Sequence, residues 1–144
     1  MKLVTDYRGE VEYEENDVIT LEEGMYGFEG EKKFLLIANV EPQLPFHWFQ
    51  AIEDPNLVFV VVDPFIFVDD YDFKIDDWTV EQLELKEVND LVIYNTVVIP
   101  EEASDITVNL KSPIVINITN RKAKQVILDG DYSFKHSIFK KGEN

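Results

Sequence analysis

Short apolar runs, each ended by turn residues, are the feature that most constrains how this chain can fold. The runs are rich in Val, Ile, Phe and Tyr and recur along the sequence. Such runs are typical of β-strands, because β-branched and aromatic residues favour strands and Gly, Pro, Asn and Asp interrupt them. The pattern predicts ten strands: Lys2–Tyr7, Asp17–Leu21, Lys33–Ile37, Phe46–Ile52, Leu57–Val62, Leu91–Ile99, Ile106–Leu110, Ile114–Thr119, Ala123–Leu128 and Tyr132–Ile138.

The distribution of apolar residues within the strands predicts which ones face solvent. In Ile106–Leu110 and Ile114–Thr119 every second residue is Ile, Val or Leu, so each strand is expected to have one solvent-exposed face. Leu57–Val62 and Leu91–Ile99 are apolar at nearly every position, which is typical of central strands covered on both faces.

So many strands in 144 residues leave sheet edges that must be hidden, and the compact solutions are a barrel or a sandwich. We favour a mainly β, small single-domain barrel-like fold over residues 1–144. One short helix is expected near residues 79–85, where Thr79 and Gln82 have the spacing of a capping box. The glycines of EEGMYGFEGEKK are expected to form ordered turns rather than a phosphate cradle, since no GxxxxGK[ST] or GxGxxG motif is present.

Charge and cysteine content limit the classes of function that the protein can have. The chain has 29 acidic and 13 basic residues, a formal charge of −16, which argues against a nucleic-acid binder and favours a basic protein partner. Its lack of cysteine excludes a disulfide framework and a thiol nucleophile. The N-terminal stretch resembles no signal peptide, and no apolar run approaches the length of a membrane span. We therefore expect a cytoplasmic protein without a membrane or nucleic-acid partner.

The carboxylates between Asp63 and Glu81 are the candidates for metal chemistry. A hard cation such as calcium needs several oxygens in close array. An EF-hand frame starting at Asp70 fails, because Ile75 occupies the position that requires glycine. An acidic metal-binding barrel or metal-assisted hydrolase remains the alternative function. The two histidines, His47 and His136, are expected to be packed rather than catalytic.

Large rings follow the proline at position 64 and are interspersed with aspartates. Aromatic residues beside charged residues are typical of protein interfaces. A strand that covers the core gives the same pattern, with its rings pointing inward and its carboxylates outward. Phe65 and Phe67 are expected to belong to the core. The other rings and the aspartates remain open to either interpretation; they are Asp69, Asp70, Tyr71, Asp72 and Phe73.

Three segments carry a resemblance to a known family. GFEGEKKFLLI, FQAIEDPNLVFVVVDPFIFVDDYDFKI and SPIVINITNRKAKQVIL resemble, in order and spacing, the motifs of the FliW family of bacterial flagellar assembly factors. Together they cover most of the chain from Gly27 to Leu128. The most specific part is the middle motif, with its aspartate-proline turn, apolar strand, proline-phenylalanine pair and Asp-Tyr-x-Phe-x-Ile.

The resemblance implies a barrel-like, non-enzymatic regulator that uses no cofactor and binds two partners. These are flagellin and the RNA-binding translational repressor CsrA, which the protein would sequester once flagellin is exported, so that repression of flagellin mRNA is relieved. An acidic protein would attract the basic repressor and favour rapid, selective association. The resemblance places the partner-binding residues in the middle motif: Asn56, Asp69, Asp70, Tyr71 and Asp72.

Overall fold

Eleven strands and one α-helix make up the computed structural model, which describes residues 1–5, 9–38 and 45–138. The helix, α1, spans Asp77–Gln82. The strands are β1 (Lys2–Thr5), β2 (Gly9–Glu12), β3 (Ile19–Leu21), β4 (Lys33–Ile37), β5 (His47–Ala51), β6 (Val58–Val62), β7 (Leu91–Val98), β8 (Thr107–Val108), β9 (Ile114–Asn117), β10 (Lys122–Gln125) and β11 (His136–Ser137).

Seven of the strands pair in a closed ring. Strands β3 to β7 follow one another as antiparallel neighbours. The first half of β7 then pairs with β9, β9 pairs with β10, and β10 runs parallel to β3, where Lys122 lies opposite Thr20. Strands β8 and β11 continue the sheet beside the end of β7. The ring confirms the predicted β-barrel. The expectation that β6 and β7 are covered on both faces is wrong, because three residues of β6 are only half-buried and Val98 at the end of β7 is 62% exposed.

The barrel interior is filled by a cluster of buried apolar side chains. Phe34 on β4 and Phe49 on β5 are completely buried, and their rings stack with centroids 4.5 Å apart. Ile19, Ile114 and Ile116 pack in the same cluster. Stacked aromatic rings combine large buried area with a favourable geometry, so this pair is the centre of the barrel core.

A two-stranded antiparallel sheet packs against the outside of the barrel. Strands β1 and β2 pair with Leu3 opposite Val11, and Leu3 is buried beside Leu35 and Ile37 of β4. The sequence pattern did not predict β2, because GEVE has a single apolar residue. The predicted strand Lys2–Tyr7 is confirmed to Thr5, and its last two residues lie outside the described part.

Several strands near the C-terminus are shorter than predicted. Only Thr107–Val108 of Ile106–Leu110 and only His136–Ser137 of Tyr132–Ile138 are strand, since the flanking residues bond across loops instead. The predicted Ala123–Leu128 forms strand up to Gln125.

The expectation that Ile114–Thr119 has one solvent-exposed face is wrong. All four residues of β9 are buried, and the segment after α1 lies against Asn117 on the outer face. The side-chain amide of Asn117 donates a hydrogen bond of 2.8 Å to the carbonyl of Leu83. An alternating strand is therefore buried on both faces, with an asparagine that is satisfied by backbone.

Helix α1 begins before the predicted position. Asp76 is its N-cap, and the Asp76 Oδ1 accepts a hydrogen bond of 2.7 Å from the backbone N–H of Thr79. The prediction that Thr79 caps the helix is wrong, because an aspartate three positions earlier supplies the acceptor and Thr79 is buried inside the helix. Among the described residues no helix is long and apolar enough to cross a membrane.

The glycine-rich loop between β3 and β4 consists of ordered turns, as predicted. The N–H of Gly24 donates to the carbonyl of Leu21, and that of Phe28 donates to the carbonyl of Met25. Gly24 has a φ of +70°, and a Cβ atom there would lie 2.5 Å from the carbonyl oxygen of Glu29. Both the backbone angle and the available space therefore require glycine at this position.

Candidate functional site

The segment after β6 turns away from the sheet at once. The Asp63 Oδ1 accepts a hydrogen bond of 2.9 Å from the N–H of Phe65 and caps a 3₁₀ turn over Pro64–Ile66. This turn directs Phe65 outward, where it is 47% exposed, so the prediction that it is a core residue is wrong. Phe67 is half-buried against the second apolar cluster of the barrel, in partial agreement with its predicted place in the core.

Tyr71 lies inside the molecule rather than on its surface. Its side chain is 4% exposed, and its hydroxyl donates a hydrogen bond of 2.6 Å to the carbonyl of Leu110. The Asn95 Nδ2 of β7 donates to the same hydroxyl at 3.1 Å and to the carbonyl of Asn109 at 2.7 Å. Of the two interpretations that the sequence left open for Tyr71, the ring that points into the core is the one observed. A tyrosine can be buried in this way because its hydroxyl finds partners there.

Aromatic contacts anchor the turn that carries the aspartates. The Tyr71 ring lies 5.0 Å from the rings of Phe73 and Tyr132, the latter edge-on. The Tyr132 hydroxyl accepts a hydrogen bond of 3.2 Å from the N–H of Asp72 and donates one to the Asp72 carbonyl. Sequence reasoning missed Tyr132 and Asn95, because their partners lie dozens of positions away in the chain.

The acidic turn, Asp69–Asp72, therefore presents carboxylates from a fixed base. The side chains of Asp69, Asp70 and Asp72 are exposed, whereas Tyr71 between them holds the turn to the barrel. The resulting surface is negative, and its backbone is bonded to Tyr132 at Asp72. It has the chemistry to bind a basic protein surface, since pre-positioned charge is ordered at little further cost in entropy.

Asn56 lies at the other end of β6 from the acidic turn. It lies exposed in the turn before β6, where its N–H donates to the Asp54 Oδ1 at 3.2 Å, whereas the acidic turn follows β6. Strand β6 has five residues, which corresponds to a separation of roughly 13 Å along its axis. The structure brings Asp69, Asp70 and Asp72 together but does not bring Asn56 to them.

The carboxylates from Asp63 to Glu81 do not form a metal site. In the described part of the chain, no three acidic or histidine side chains are grouped so that they could hold a metal ion. Asp63 and Asp76 instead cap a 3₁₀ turn and α1. His47 packs edge-on against Tyr94, with ring centroids 6.1 Å apart. The alternative of a metal-binding or hydrolytic barrel has no support from this geometry.

Burial raises the pKa of Tyr71 to about 12; the Asn95 hydrogen bond lowers it in part, and Tyr132 raises it further. The unfolded chain would ionise this group near 10.0. Between pH 10 and 12 the unfolded state thus binds fewer protons than the folded state. The contribution of Tyr71 to the free energy of unfolding is therefore full below pH 10 and is lost as the pH rises to 12. We expect this one group to remove up to about 2–3 kcal/mol.

The variant Tyr71→Phe isolates that effect. At neutral pH it should lower the free energy of unfolding by about 1–3 kcal/mol, because the Leu110 carbonyl and an Asn95 N–H lose their partner. Above pH 10 the difference between the two proteins should shrink, which urea titrations at a series of pH values would measure. A constant difference up to pH 12 would contradict the assigned role of the hydroxyl.

Comparisons with known proteins agree on one family. A model described as FliW protein matches residues 2–138. The flagellar assembly factor FliW of Thermoanaerobacter pseudethanolicus is 44% identical over 145 residues, covering 100% of this chain and 97% of the relative. That of Treponema denticola is 40% identical over 139 residues, covering 96% and 93%. A crystal structure of the flagellar assembly factor FliW superimposes with a TM-score of 0.90 and 37% identity, covering 96% of this chain and 97% of the other.

Proposed function

Because the chain belongs to the FliW family, we propose that it is a non-enzymatic flagellar assembly factor that works in the cytoplasm. The observation that carries the proposal is the match to the family over residues 2–138, together with relatives of that name that align over the whole chain. The same barrel is found in the solved flagellar assembly factor.

We further propose that the protein binds the translational repressor CsrA and cytoplasmic flagellin in turn. Occupation by flagellin would release the repressor, and export of flagellin would free the protein to sequester the repressor again. The net charge of −16 supports the first interaction, because a repressor that binds RNA phosphates must present basic residues. Asp69, Asp70 and Asp72 are the proposed contacts on the acidic turn, which Tyr71 positions from below; Asn56 is proposed as a separate contact.

Calorimetry with purified CsrA, and separately with purified flagellin, tests this function. Binding to both partners is expected, and the affinity for CsrA should fall as salt rises because exposed charges are screened. The variant Asp72→Lys should bind CsrA about three- to fivefold more weakly, since it reverses an exposed charge at the rim. Its backbone bonds to Tyr132 do not depend on the side chain, so the fold should be retained.

A matched control is Asp105→Lys, which makes the same charge change at an exposed position of the 3₁₀ turn over Ala103–Asp105. If both variants weaken binding equally, the net charge matters but the acidic turn is not the contact. Absence of binding by the unmodified protein to either partner would overturn the proposed function itself.

A further inference from the structure

An apolar groove lies between α1 and the 3₁₀ turn over Val88–Asp90. Its volume is about 190 Å³. Its walls are formed by five apolar side chains, with Lys86 and Glu87 beside them: Ile75, Val80, Leu85, Val88 and Leu91. Pockets that hold whole small molecules usually have about 300 Å³ or more. The groove therefore has the size for one large side chain of a partner.

The segments on the two sides of the groove are hydrogen-bonded to β9 and the turn that follows it. On the α1 side, the Asn117 amide donates to the carbonyl of Leu83, which is 2% exposed. On the other side, the hydroxyl of Thr119 donates to the Asp90 Oδ1 at 2.8 Å, and the Ile118 N–H donates to the Asp90 carbonyl at 2.8 Å. The segments on the two sides of the groove are therefore tied to the same part of the barrel.

Val88 gives the groove an exposed apolar rim. Its side chain is 85% exposed, although a valine at this position gains nothing from contact with water. It belongs to none of the apolar clusters of the core, and it begins the 3₁₀ turn that leads into β7. Burial of such a side chain by a partner would be favourable at roughly 25 cal/mol per Å² of apolar surface.

The segment that forms the groove is strongly acidic. Residues 75–91 contain a single lysine, Lys86, and six carboxylates: Asp76, Asp77, Glu81, Glu84, Glu87 and Asp90. A neutral apolar segment would gain nothing from this field, and an acidic one would be repelled. Lys122 pairs with Glu84, and the remaining five carboxylates leave the charge around the groove complementary to a basic segment.

We propose that this groove binds one large apolar side chain presented by a basic protein segment. The apolar walls hold the side chain, and the surrounding carboxylates attract the basic residues on either side of it. Lys86, at the groove, opposes the binding. The groove shares no lining residue with the acidic turn, and the segments beside it are bonded to β9 and the turn after it rather than to Leu110 and Tyr132. Its test requires neither CsrA nor flagellin.

Two synthetic helical peptides of equal charge, one of Leu and Lys and one of Ala and Lys, test the proposal by amide chemical-shift titration of the labelled protein. The Leu/Lys peptide should saturate and shift the amides of Leu85 and Val88, and the Ala/Lys peptide should bind at least about fivefold more weakly. Val88→Gln should weaken Leu/Lys binding about five- to tenfold. Lys86→Glu should strengthen it.

Val98→Gln is the matched control, because Val98 is also exposed but lies on β7. It should bind the Leu/Lys peptide as the unmodified protein does. Equal binding of the two peptides, or equal binding by Val88→Gln and Val98→Gln, would show that charge alone holds the peptide and would overturn the proposal. So would the absence of saturable binding. Dispersed amide spectra verify that each variant is folded.

Discussion

Replacing Phe49 with alanine is expected to lower the free energy of unfolding by about 3–5 kcal/mol. The Phe49 side chain is completely buried at the centre of the barrel and stacks on Phe34 at 4.5 Å. Removing the ring loses the free energy gained by its transfer out of water, and it leaves a cavity beside β4 and β5. The cavity cannot collapse, because strand pairing fixes the spacing of the two strands. Urea unfolding followed by far-ultraviolet circular dichroism measures the change.

The matched control for this variant is Phe65→Ala. Phe65 is 47% exposed and has a tilted ring contact with Tyr71 at 5.9 Å, so its loss should cost about 1 kcal/mol. A loss similar to that of Phe49→Ala would mean that the outward position of this ring is wrong and that the sequence-based expectation of a core residue was right.

Replacing Gly24 with alanine should destabilise the protein by about 2–4 kcal/mol, the second-largest effect that we expect. Part of the cost is the left-handed backbone, with a φ of +70°, which disfavours any Cβ. The rest is steric, since the new methyl group would lie 2.5 Å from the backbone oxygen of Glu29, and neighbouring backbone cannot rotate away as a side chain can. Chemical denaturation again provides the measurement.

Gly27→Ala separates the two contributions. Gly27 has a φ of +87°, but a Cβ atom there would meet nothing within 4 Å. Its replacement should therefore cost about 1 kcal/mol, from backbone strain alone. Equal destabilisation by the two variants would show that the close approach to Glu29 contributes nothing.

The class of fold was predictable from the sequence because strand signals are local. The runs that became β4 to β7 are apolar and β-branched, and each was placed within about two residues of its observed position. Strand β2 was not predictable, since GEVE has one apolar residue and is held by pairing with β1. The burial of both faces of β9 was equally hidden, because it depends on coverage by a segment about 30 residues earlier in the chain.

The charged residues of the candidate site were predictable from the sequence, but which of its rings are buried was not. The alternation of rings and aspartates gives the same pattern whether a ring points in or out. Tyr71 turned out to be buried and Phe65 exposed, because a 3₁₀ turn capped by Asp63 breaks the two-residue periodicity of a strand. That cap is visible in the sequence as an aspartate before a proline, a signal that outweighs the alternation after it.

Closure of the ring between β3 and β10 also bears on how the protein is made. The two strands lie about a hundred positions apart, so β3 has no parallel neighbour until β10 has been synthesised. The roughly 60 residues from the end of β6 to the end of β10 take roughly 3–12 s at about 5–20 residues per second. During that interval a nascent chain exposes open strand edges and apolar faces, which invite association with other chains. Mutual repulsion between strongly acidic nascent chains is expected to oppose such association, which gives the −16 charge a second consequence during synthesis.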